Sequence, residues 1–100
     1  MLTGWQRSCL KKDGHKLNSL VQIGKEGLTE DVISHIDSML EDNELLKLTF
    51  LKSCIIDTKE GANIVCNKVG AEFIQAIGRK FVIFRQARDK DKQKITIPEK

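Results

Sequence analysis

Leu20-Val21-Gln22-Ile23-Gly24-Lys25-Glu26-Gly27-Leu28-Thr29-Glu30-Asp31 joins an apolar run to the opening of an amphipathic helix. Leu20 to Ile23 has little polar interruption and reads as a short inner strand. Thr29 is a good N-cap, and Glu30 and Asp31 suit the positive end of a helix dipole. Val32, Ile33, Ile36, Met39 and Leu40 then recur at helical spacing as one apolar stripe. Between strand and helix, Gly24 and Gly27 allow a tight turn and a close approach of backbone to a ligand. The helix start beyond them offers unpaired N–H groups and partial positive charge, and Lys25 adds a mobile full charge. These features together describe a small cradle for phosphate. A Gly-x-x-Gly in isolation is weak, because strand-to-helix turns often use glycine simply to bend.

On the N-terminal side, Thr3 to Lys12 reads as a short helix with Trp5 and Cys9 on one face, stopped by Asp13-Gly14. His15 to Ser19 is a connector. On the C-terminal side, Leu45 to Leu51 is a strand with apolar residues on both faces, and Ser53 to Thr58 is a looser stretch. A third helix is expected over residues 59–68, with Ala62, Val65, Cys66 and Val69 buried and Gly70 ending it. Strands at 72–77 and 81–85 close the domain around Gly78-Arg79-Lys80, a basic hairpin loop. Crossover helices favour parallel pairing, and the last two strands favour a hairpin. The expected fold is α/β, in an α+β two-layer-like form: a mixed four-stranded sheet with three flanking helices, in the order α-β-α-β-α-β-β. Residues 1–86 form the expected domain. Residues 87–100 form a charged tail, with a weak edge strand at 95–97 before Pro98.

Length and composition bound the function. One hundred residues, 40% of them apolar, suffice for one domain that buries about two-thirds of its unfolded surface without staples. No apolar stretch approaches the ~20 residues of a membrane span, and residues 1–7 lack a signal-peptide design, so a cytoplasmic location and no membrane partner are expected. Cys9, Cys54 and Cys66 are widely spaced with no Cys-x-x-Cys pair, and His15 and His35 lie at no metal-ligand offset from them. Three reduced, mostly buried thiols are expected, with neither metal nor cofactor.

Charge is distributed unevenly. Residues 1–25 hold five Lys/Arg against one acid, a net +4; residues 26–60 hold three against nine, a net −6; residues 61–100 hold nine against four, a net +5. Basic ends around an acidic middle give one positive face if the fold brings the ends together. Solvated surface charge with no partner is the competing reading.

No catalytic constellation stands out. Gly-x-Ser-x-Gly, His-Glu-x-x-His and the Lys-Ser/Thr ending of a P-loop are all absent. Glu30-Asp31 and Glu41-Asp42 are adjacent on a helix and point in different directions, so they make poor acid–base pairs. Arg79, Lys80 and Arg85 cluster about the final hairpin and suit phosphate contacts. Phe81 and Phe84 beside them could stack on unpaired bases but are both expected in the core.

The string Val21 to Thr29, with Gln6-Arg7, Leu10-Lys11, His15, Leu17, Val32-Ile33, Ile36-Asp37, residues 44–48 and residues 77–85, resembles the chloroplast RNA splicing and ribosome maturation (CRM) domain in its single-domain bacterial YhbY-type form. The resemblance covers roughly residues 2–85, beginning at Leu2-Thr3. It implies an RNA-binding, non-enzymatic domain similar in architecture to the C-terminal domain of translation initiation factor 3. The implied glycine loop resembles that of KH domains, where backbone clamps nucleotides. It also implies association with precursors of the large ribosomal subunit, with ribosomal RNA as the partner; a monomer is expected. Carried onto this chain, RNA contact falls on Gly24, Lys25, Glu26 and Gly27, with support from Arg79, Lys80 and Arg85 and from Lys11, Lys12 and Lys16 of the first helix and connector. Glu26 departs from the pattern by placing an acid in the loop, and Asp13-Gly14 and Asn18-Ser19 depart in the first connector. The alternative is a protein-interaction module that reaches ribosomal particles through the acidic face of the second helix.

Overall fold

In the computed structural model, residues 4–15, 17–89 and 91 are described, with only the main chain for His15. The elements run α1 (Gly4–His15), β1 (Val21–Ile23), α2 (Glu30–Asn43), β2 (Leu45–Phe50), α3 (Thr58–Val69), β3 (Glu72–Ile77) and β4 (Lys80–Phe84). They form the expected α+β fold, three helices on a four-stranded mixed sheet of order β1-β2-β4-β3. β1 pairs with β2 in parallel, and β4 lies antiparallel between β2 and β3.

Local chemistry explains most boundaries. The Thr29 hydroxyl accepts from the Val32 N–H at 3.3 Å, which satisfies one of the four free donors at the α2 start. The Asp57 carboxylate does the same for Glu60 in α3. Gly70 ends α3 at φ 68, a conformation that costs other residues roughly 1–2 kcal/mol.

Three expectations change. α1 does not stop at Asp13-Gly14; it continues to His15, because Gly14 is a packing position. A Cβ there would lie 3.1 and 3.2 Å from the two methyls of Val82, so glycine lets the helix settle onto the sheet. β1 is an edge strand rather than an inner one: Val21 and Ile23 are buried, while Gln22 points to solvent on the opposite face. The last strand ends at Phe84, so Arg85 lies just beyond it.

The sheet separates two cores. Leu46, Leu48, Phe50, Phe81 and Ile83 pack beneath α2 and α3, where Ile36, Leu40, Ala62 and Val65 meet them. Leu45, Ile74, Val82 and Phe84 pack on the other side against Leu10 of α1. Phe81 and Phe84 are both core, as expected, but on opposite faces. The Phe50 and Phe81 rings stack with centroids 5.3 Å apart.

Ala87, Arg88 and Asp89, expected to begin the tail, are anchored. Their N–H groups donate to Glu44 Oε2, Glu41 Oε1 and Glu41 Oε2 at 2.8–2.9 Å. Glu44 is buried at the end of α2 with φ 64, and its carbonyl also accepts from the Arg85 N–H at 2.9 Å. The edge strand expected at 95–97 lies outside the described residues.

Candidate nucleic-acid interface

β1 and β2 run in the same direction, each followed by a helix, so both strand-to-helix loops open at one end of the sheet. The β3–β4 hairpin turns at that same end. Two backbone bonds fix the neighbours: Leu51 N–H to Ile23 O and Phe50 N–H to Arg79 O, both 2.8 Å. Lys25, Lys52, Arg79 and Lys80, all exposed, are thereby gathered from three separate segments.

The glycine loop is a four-residue turn closed by the Gly27 N–H donating to Gly24 O at 3.0 Å. Gly27 holds φ 72, where an L side chain is strained, and a Cβ there would press on Ile56 Cδ1 at 3.3 Å. Gly24 rests on the second loop, with Leu51 Cδ1 and Ser53 Oγ each 3.7 Å from the place of its missing Cβ. Lys25 and Glu26 form the exposed crown. The helix start does not join the cradle directly. Leu28 and Thr29 separate the turn from α2, and both the Gly27 and Val32 amides are already engaged. The amides left to meet an anion at the crown are those of Lys25 and Glu26.

Arg85 has a different role from the one expected. Its side chain is 9% exposed and turned to α2. Nη1 donates to Asp37 Oδ1 (2.5 Å) and Val69 O (3.0 Å), and Nη2 to Asp37 O (3.1 Å) and Glu41 Oε1 (3.3 Å). Its position explains this: β4 runs away from the hairpin, so residue 85 emerges at the opposite end of the sheet. Arg88 adds a second contact to Asp37 at 3.2 Å. The hydrogen bond from Arg85 holds the Asp37 carboxyl below its ordinary value; partial burial opposes this, and the charges of Arg85 and Arg88 reinforce it.

Lys11 and Lys12 are exposed on α1, the same side of the sheet as Lys47 and Lys80. Lys16 lies outside the described residues. The acids of α2 lie in the other layer, where Asp37 and Glu41 face Arg85 and Arg88. Lys52 carries no sequence motif of its own. It is two residues past Phe50, as Lys25 is two past Ile23, and these two residues are register partners. The parallel register would have revealed it.

Among the described residues no group of three or more His, Cys, Asp or Glu could hold a metal ion, and no helix is long and apolar enough to cross a membrane. Cys54 and Cys66 are buried and Cys9 is half-buried, all as free thiols. Burial, with the nearby Glu72 charge, pushes the Cys66 thiol up to about 11.

The chain belongs to the CRS1/YhbY (CRM) domain family, whose family model matches residues 2–85. It is 31% identical to the Bacillus subtilis protein named "Probable RNA-binding protein YqeI", over 98% of this chain and 100% of that one. It is 32% identical to a Haemophilus influenzae protein named "RNA-binding protein", over 95% of this chain and 93% of that one. The fold matches the solution structure of a Staphylococcus aureus protein described as a candidate RNA-binding protein. That match has a TM-score of 0.77 and 34% identity and covers 96% of this chain and 100% of the other.

Proposed function

We propose that this protein binds RNA through the cationic end of its sheet, and that its partner is ribosomal RNA in precursors of the large ribosomal subunit. The observation that carries the reading is the convergence of Lys25, Lys52, Arg79 and Lys80, set by the bonds from Leu51 to Ile23 and from Phe50 to Arg79. Contacts of this kind hold phosphate and fix register without reading sequence. The names of the relatives support RNA as the ligand, and the family resemblance supports the ribosomal source. The protein acts in the cytoplasm as a monomeric, non-enzymatic assembly factor.

The test is a triple variant, Lys25→Ala with Arg79→Ala and Lys80→Ala. Three lost phosphate contacts predict a log–log salt slope shallower by about 2 on single-stranded RNA, with weaker binding at low salt. Unchanged affinity and slope on ribosomal RNA fragments would refute the mechanism. The ribosomal assignment is tested by sedimentation of lysates: the protein should travel with large-subunit precursors and leave them after complete RNA digestion. Co-sedimentation that survived digestion would favour recruitment through a protein. The acidic face of α2 offers that alternative little support, since Asp37 and Glu41 already hold Arg85.

A further inference from the structure

α1 covers only part of its side of the sheet. Leu10 packs on Leu45, Ile74, Val82 and Phe84, and Gly14 rests on Val82. Beyond Val82, toward the hairpin, part of this face stays open among the described residues, with the connector along its β2 edge through Ser19 on Thr49 and Leu17 O on Lys47. A groove of about 100 Å³ opens there, lined by Lys47, Gln75, Ile77, Lys80, Phe81 and Val82. The register explains the lining. Lys47, Val82 and Gln75 form one row across three strands, and Thr49, Lys80 and Ile77 form the next row on the same face. A bulge between Phe73 and Gln75 turns both Ile74 and Gln75 to this side. Ile77 is 59% exposed, an apolar side chain held in water by a paired strand rather than by a loose loop.

We infer that this groove seats one unpaired nucleobase of the bound RNA strand. The inference rests on the RNA-binding reading above and deepens it, because it makes the ligand single-stranded at this point. Ile77 and Val82 give an apolar floor for a flat ring, and the Gln75 amide carries both a donor and an acceptor for a base edge. Lys47 beside Val82 and Lys80 beside Ile77 sit diagonally along one edge of the floor, about 7–8 Å apart and within reach of a nucleotide's own phosphates, and no acid is among the described lining residues. Lys80 also belongs to the cationic end, so the seat is continuous with it. In an A-form duplex the bases are stacked and paired, and none can be laid flat on this floor.

The experiment compares a single-stranded oligoribonucleotide of about ten nucleotides with the same chain carrying abasic sites. Binding to the full-length protein is read by fluorescence anisotropy across a salt series. The wild type should prefer the base-bearing strand by about fivefold or more. An Ile77→Ala, Gln75→Ala variant should lose that preference while keeping its salt slope, because no charge is removed. Ile77 is exposed and Gln75 half-buried, so the variant should fold, and its melting curve checks this. A Lys25→Ala, Arg79→Ala variant should instead weaken both strands alike and flatten the slope. Equal wild-type affinity for the two strands, or a preference that survives in the Ile77/Gln75 variant, overturns the seat. The cationic end would then stand if the Lys25/Arg79 variant still lost affinity. Wild-type protein that bound neither strand at low salt would overturn both.

Discussion

Replacing Arg85 with alanine separates a structural cation from a binding one. The substitution removes four hydrogen bonds, to the Asp37 carboxylate and carbonyl, the Glu41 carboxylate and the Val69 carbonyl. It leaves Asp37 and Glu41 facing each other across the vacated space. Breaking a buried ion pair costs about 3–5 kcal/mol. Asp37 is 35% exposed, so water can replace part of what it loses, which places this case near ~3 kcal/mol. Against a total stability of about 5–15 kcal/mol, that is a large fraction. At about 4–8 °C per kcal/mol for a domain of this size, the melting temperature should fall by roughly 12–24 °C. RNA affinity, measured cold where the variant is still folded, should stay within about twofold. The five residue steps of β2 put Arg85 about 17 Å from the hairpin end, beyond the ~8 Å screening length of physiological salt. Circular dichroism melting and anisotropy titration on one preparation give both numbers. An Arg85→Ala protein that melted like the wild type yet lost its RNA affinity would show that the α2 contacts had been given the wrong meaning.

Three further outcomes follow from neighbouring contacts. Because the folded-state pKa of Asp37 is depressed, its contribution is fully present above its ordinary 3.8 and is lost as pH falls through the lower folded value. The wild type should therefore melt higher than Asp37→Asn at pH 6, and the two curves should draw together as pH falls below 3.8; a constant gap would contradict the linkage. With its thiol pushed up to about 11, Cys66 should resist alkylation at pH 8 in the folded protein and react on unfolding, read by peptide mass spectrometry. A Cβ at Gly61 would overlap Phe50 Cζ and lie 2.9 Å from Cε2, with the ring held against Phe81. Overpacking of about 1–3 kcal/mol outweighs a helix-propensity gain of about 1, so Gly61→Ala should destabilise by roughly 1 kcal/mol in urea titration. A stabilised variant would mean that the ring can yield.

What could be read from the chain, and what could not, divides by range. Thr29 and Gly70 act on backbone atoms a few residues away, and both do what their chemistry suggests. The apolar stripe of α2 is likewise local: Ile36 and Leu40 are fully buried, with Val32, Ile33 and Met39 packed beside them. Gly14 misleads because a glycine that stops a helix and one that lets it touch a sheet look the same in one dimension. Arg85 misleads for a related reason. It follows Arg79 and Lys80 in sequence, but its partners in space are 44 and 48 residues away. Lys52 is not legible in the sequence, because only strand register makes it the counterpart of Lys25.

The anchoring of residues 87–89 on Glu41 and Glu44 has a practical corollary. Those anchors lie at the pole remote from the glycine loop. A dye or surface tether grafted onto Asp89, which is exposed while its amide is held, would stand clear of anything docked at the far rim. Immobilisation through that residue orients every molecule the same way, cationic rim outward.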